Sequence, residues 1–243
     1  MDKIKETHYN RGIAYLEAGE YSRAICEFET LIKQNAGFIG AHCALCRAYL
    51  EQDELEKACI AVTAALKLDA THQPALLLGG IITEAYHDRG KIYLDAKNYA
   101  EAVAAFQNAI DFDADLGDSS QVFHTENTHI HVHLGAAYIG MKLYQHAVEA
   151  LQNAIALEPD LVDAHYHLGY SYVEQGEFDK AIPHLKRAIA IAPHLKRAHY
   201  NLARAYQESG DLEAAAHTIT EILRIDPNYQ RAHELVEAIK QAH

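Results

Sequence analysis

The chain has 243 residues, 21 Lys plus Arg against 34 Asp plus Glu, and a formal charge of -13 with histidine neutral. That field repels phosphate backbones, so nucleic acid is not expected as a partner. The opening MDKIKETHYN lacks the apolar run of a secretory signal, and no stretch of about 18 apolar residues marks a membrane span, so a soluble, cytoplasmic protein is expected.

Along the chain, a small residue recurs at Gly12, Cys46, Gly90, Gly135, Gly169 and Ala203, each followed three places on by Tyr15, Tyr49, Tyr93, Tyr138, Tyr172 and Tyr206. A second series runs Ala24, Ala58, Ala102, Ala147, Ala181 and Ala215, with Phe28, Val62, Phe106, Leu151, Leu185 and Ile219 four places later. Both spacings place the two residues on one face of a helix, so each unit reads as a pair of helices meeting at the small position. Between them, Gly19, Gly176 and Gly210 stand where a helix ends in a left-handed turn, and Pro159, Pro193 and Pro227 close their units at equal intervals.

The interval is 34 residues, seen most plainly where Val162 to Pro227 repeats itself without a gap. These motifs resemble the tetratricopeptide repeat family over nearly the whole chain. The resemblance implies an all-α, right-handed helical-hairpin solenoid: repeats at about 5–38, 39–72, 73–116, 128–161, 162–195 and 196–229, then a capping helix at 230–241 whose Glu234, Glu237 and Lys240 face water. Extra residues interrupt the period at 73–82 and 117–127. The first, QPALLLGGII, either lengthens the third unit's first helix or forms a short helix broken at Gly79 and Gly80. Both are expected to protrude from one rim as appendages. Pro183 is expected to kink its helix without ending it.

Seventeen histidines invite a metal reading. His8, His42, His131, His165, His199 and His233 share one repeat position and are expected to pack as a largely buried ladder. His124, His129 and His133 are the metal candidates, since 129 and 133 have the i, i+4 spacing that brings two imidazoles to one ion, but no carboxylate or thiol completes the set. Cys26, Cys43, Cys46 and Cys59 read as reduced, buried small side chains. The acidic run from Asp111 to Asp118 lacks the glycine and glutamate of a calcium loop and reads as a linker between repeats. No phosphate cradle or nucleophile set appears, so no enzyme and no cofactor are expected.

In the family that this chain resembles, the second, fifth, ninth and twelfth positions of each first helix line a concave groove. Here these include Tyr166, Tyr170 and Val173, then Arg197, Tyr200, Arg204 and Gln207, with Arg231 on the cap. Cations and tyrosines on an acidic protein suit a peptide or protein segment with acidic or carboxylate groups. The first half offers a more apolar set: Tyr9, Ile13, Leu16, Cys43, Arg47, Leu50, His87, Lys91 and Leu94. The lysine and asparagine pair with which some relatives hold chaperone C-termini is missing. The sequence therefore points to a non-catalytic interaction scaffold or assembly adaptor; a histidine-rich metal handler and a small-molecule sensor are the alternatives, and the oligomeric state is open.

Overall fold

A computed structural model describes residues 3–116 and 124–241. Among these residues the chain forms helices and turns, with no strand. The helices are α1 (Lys3–Glu17), α2 (Tyr21–Gln34), α3 (Ile39–Leu50), α4 (Leu55–Leu68), α5 (Gln73–Asp95), α6 (Tyr99–Leu116), α7 (His124–Gly140), α8 (Tyr144–Leu157), α9 (Val162–Gln175), α10 (Phe178–Ile191), α11 (Lys196–Ser209), α12 (Leu212–Ile225) and α13 (Gln230–Gln241). They form two compact units, one of residues 1–92 with 104–126 and one of residues 93–103 with 127–243.

Inside the first unit α1 packs on α2, α2 on α3 and α3 on α4; inside the second, α8 packs on α9, α9 on α10, α10 on α11 and α11 on α12. The small positions cause this pairing. A Cβ built on Gly12 would lie 2.5 Å from the Phe28 ring, on Gly90 2.4 Å from Phe106, and on Gly135 and Gly169 2.6 Å from Cγ of Leu151 and Leu185. Each of those partners is sixteen residues on and fully buried. The same register sets Ala203 against Ile219 and Cys46 against Val62, where the side chain grows at one position as it shrinks at the other. Constant total volume is what a close-packed seam requires.

The turns are more uniform than their glycines suggest. Gly19, Gly176 and Gly210 have φ of +74°, +76° and +86°, and Asp53, Lys97 and Lys142 take the same left-handed conformation at φ of about +60°. A side chain there is strained against its own carbonyl, by roughly 1–2 kcal/mol. Lys142→Gly is therefore expected to raise the stability of the second unit by about 0.5–1 kcal/mol, the strain relieved less the extra unfolded-state freedom of glycine. A urea midpoint that stays put or falls would show that the turn holds lysine without strain.

Several expectations need correction. The 73–82 segment lengthens the third unit's first helix, one of the two readings given for it, and does not stand out as an appendage. It is the first part of the continuous helix α5, with Ala75, Leu78, Gly79, Gly80, Ile82 and Thr83 buried. Two glycines weaken a helix, but burial of this face outweighs the loss. Residues 117–123 of the other addition lie outside the described residues. Asp111 and Asp113 are on α6, so the acidic run begins as helix and not as linker. Pro183 lies exposed within α10 and, as expected, does not end it. Cys43 and Cys46 are buried, but Cys26 is exposed and Cys59 half-buried, because their faces of α2 and α4 are not fully covered. On α13, Ala232 and Leu235 are buried against the last pair while Glu234 and Glu237 are exposed.

Candidate functional site

The second unit carries the sequence-defined strip on α9, α11 and α13. Successive first helices sit side by side, so the second position of one reaches the fifth position of the one before it. The Arg197 guanidinium lies 5.3 Å from the centre of the Tyr166 ring, and Arg231 lies 5.7 Å from that of Tyr200. A guanidinium over an aromatic face is held by the ring's quadrupole, with its N–H edges left to point elsewhere. Neither arginine has an ion pair among the described residues. Their neighbours do: Lys196 binds Asp226 at 2.6 Å, Arg224 binds Glu221 at 2.8 Å, and Arg187 pairs with Asp160.

Arg204 differs from them. Its Nη1 donates to Glu174 Oε1 at 3.0 Å and weakly to Asn201 Oδ1 at 3.4 Å, so its charge is already spoken for. Glu174 also accepts from the Tyr144 hydroxyl at 3.5 Å, and the Tyr144 and Tyr170 rings meet edge to face at 6.4 Å. Burial raises the pKa of Tyr166, and burial followed by Glu174 raises that of Tyr170, so both phenols stay protonated hydrogen-bond donors at neutral pH. Tyr200 packs edge to face on Tyr229 at 6.3 Å. Gln207 is half-buried. Val173 is buried in the hydrophobic core of the unit and contributes packing there. The strip is thus a row of tyrosines and two uncommitted arginines one repeat apart, with Arg204, tied to Glu174, between them in sequence.

The histidine position does something its packing role did not foretell. His42, His165 and His199 are buried, and in each Nε2 lies 2.9 Å from a backbone carbonyl six residues earlier, on Ala36, Pro159 and Pro193. Nε2 therefore carries the proton and donates, which fixes the tautomer and satisfies a loop carbonyl. His233 makes the same bond to Pro227 but is exposed, so the expected burial of the whole ladder fails there. His131 is half-buried, with Nδ1 enclosed and lacking a hydrogen-bond partner, and burial lowers its pKa. Of the metal candidates, His129 is exposed and His133 half-buried, while the side chain of His124 lies outside the described residues. Among the described residues no three His, Cys, Asp or Glu side chains are placed to hold a metal ion.

Paired helices with a small residue opposite a large one, left-handed turns and a fixed period define a helical-repeat protein. Tetratricopeptide repeat models match residues 9–72, 83–116 and 172–239, and a TPR repeat model matches 135–176. The chain belongs to the tetratricopeptide repeat family. No curated protein matches it. Among solved structures it is similar to YrrB, described as a TPR protein with an unusual peptide-binding site, at 21% identity and a TM-score of 0.52 over 86% of this chain and 97% of that one. PilF of Pseudomonas aeruginosa gives 17% identity and 0.53 over 98% of each chain. PilW, described as a type IV pilus biogenesis factor, gives 14% and 0.53 over 97% of this chain and all of that one. At such identities these likenesses bear on the fold. No helix among the described residues is long and apolar enough to cross a membrane.

Proposed function

We propose that the protein is a non-catalytic interaction scaffold that holds a carboxylate-bearing peptide segment along the strip on α9, α11 and α13. The observation that carries this reading is the pair Arg197 and Arg231, set one repeat apart, each seated on a tyrosine and without an ion pair among the described residues, in a chain of net charge -13. An acidic protein that leaves two guanidinium edges unspent on one face can offer each to a carboxylate in a two-pronged hydrogen bond. Tyr170 and Tyr200 supply flat apolar surface with a donor at the tip, which favours an extended or helical segment between the arginines. The peptide-binding site in the description of YrrB is consistent with this use of the fold. The metal-handling and sensor readings have no comparable support.

Arg197→Glu with Arg231→Glu is expected to weaken capture of an acidic partner peptide about a hundredfold, roughly tenfold for each lost charge-assisted contact. Both side chains are exposed, so the helical circular dichroism should not change. Arg204→Glu is the poorer probe, because it would set a second carboxylate against Glu174 and disturb the unit itself. Undiminished capture by the folded double variant refutes the strip as the binding surface.

A further inference from the structure

On α11 the residues His199, Leu202 and Tyr206 lie on the face opposite Arg197, Tyr200 and Arg204, by the 3.6-residue helical period. There, between α10, α11 and α12, the second unit has an open cavity of about 660 Å³ lined by these three with Lys186, Thr218 and Glu221, among others. The chain shows in other repeats what this space accepts. The residue nineteen places after the repeat histidine answers its Nδ1: Glu27 Oε2 lies 2.7 Å from His8 Nδ1, and His184 Nδ1 lies 3.1 Å from His165 Nδ1.

The second case fixes its own protons. His165 donates from Nε2 to Pro159, so its Nδ1 is an acceptor and the N–H belongs to His184. The His184 ring fills the groove, stacked 5.4 Å from His165 and 6.0 Å from Tyr172. At His199 the nineteenth residue is Thr218, whose hydroxyl donates to the Ala214 carbonyl of its own helix at 2.8 Å. Among the described residues His199 Nδ1 thus has no partner, and Tyr206, the counterpart of Tyr172, carries the ammonium of Lys186, 5.4 Å from its ring centre. Ala61 leaves a comparable groove beside His42, but it is about 280 Å³, and there Tyr49 is tied to Glu29 at 3.0 Å with Lys57 over its ring.

We propose that the cavity beside His199 and Tyr206 is a second binding site, which takes the imidazole ring of a histidine on a basic peptide segment. The ring would sit as His184 does in the preceding repeat, its N–H donated to His199 Nδ1 and its face on Tyr206. Asp211 and Glu213 around the opening outnumber Lys186, while Glu221 is paired with Arg224, and this balance favours lysine or arginine on either side of that histidine.

The test follows the histidine ring signals by NMR while Ac-Lys-His-Lys-amide is added to the whole protein. Saturable shifts are expected at His199. Thr218→His should plug the cavity from within, weakening binding there at least tenfold while raising the urea midpoint. His184→Thr should open an equivalent site and bring saturable shifts to His165. The groove beside His42 is common to all three proteins and cancels in the comparison. No saturation at His199, or equal binding by Thr218→His, overturns the site. Should that variant fail to fold, failure of His184→Thr to gain a site overturns it equally. Tighter or equal binding of 4-methylimidazole, or of Ac-Glu-His-Glu-amide, would overturn the basic peptide as occupant. None of these outcomes depends on Arg197 or Arg231, so this site and the strip on the opposite face stand or fall separately.

Discussion

Gly90→Cys and Phe106→Val should each destabilise the first unit severely, and together should cost much less than their sum. A Cβ at residue 90 would lie 2.4 Å from the Phe106 ring, which is wholly buried and has nowhere to go, so the cysteine overpacks the seam by about 1–3 kcal/mol. Removing most of that ring leaves a cavity and costs about 2–4 kcal/mol. The double variant recreates the pairing that the chain already uses at Cys46 and Val62. A coupling energy of at least 1–2 kcal/mol between the two sites is expected from urea midpoints of the four proteins. Strict additivity would mean that the two positions do not share one volume.

Acid should loosen the second unit through His167. The His167 ring is half-buried, with Nδ1 enclosed and lacking a partner, and desolvation depresses its pKa to about 4, with Arg197 and His133 acting in the same direction and Asp163 opposing. An unfolded histidine titrates near 6.5, so below that value the unfolded chain binds more protons than the folded one. The stability from this group is complete above about pH 6.5 and is lost progressively as pH falls toward 4. At pH 5 the loss is about 2 kcal/mol. His184, lowered by burial and then by His165, and His131, lowered by burial, add losses of the same sign. The measurement is the urea midpoint at pH 7.5 and 5.0 for the natural chain and for His167→Gln. If the glutamine variant is as acid-sensitive as the natural chain, His167 does not carry the effect.

Much of the fold could be read from the sequence because repetition amplifies it. A small residue opposite a large one sixteen places later is weak evidence once, but recurrent use of that register marks a helix pair. The glycine turns were legible for the same reason, whereas Asp53, Lys97 and Lys142 were not, since only backbone conformation reveals their left-handed state. The repeat histidines were read as packing because an imidazole suits a buried aromatic position; the loop carbonyl that His42, His165, His199 and His233 meet has no signature, being a backbone group. Of the strip, the sequence placed Arg197, Tyr200, Arg204 and Arg231 on one line, yet could not separate the tied Arg204 from the free pair. That distinction rests on Glu174, one repeat earlier. His184 escaped notice because its position varies freely in size and polarity from repeat to repeat.

The histidine bond to a carbonyl six residues earlier has a kinetic consequence. It closes a small loop, and the seam beside it joins residues sixteen apart, while the tyrosine and cation contacts within each unit reach little further than one period. Chains whose contacts are this local bring their ends together at small entropic cost and belong to the fast-folding end of the range. A nucleus can then arise in any one helix pair and spread to its neighbours, with the histidine clip setting the exit angle of the loop before the next pair docks.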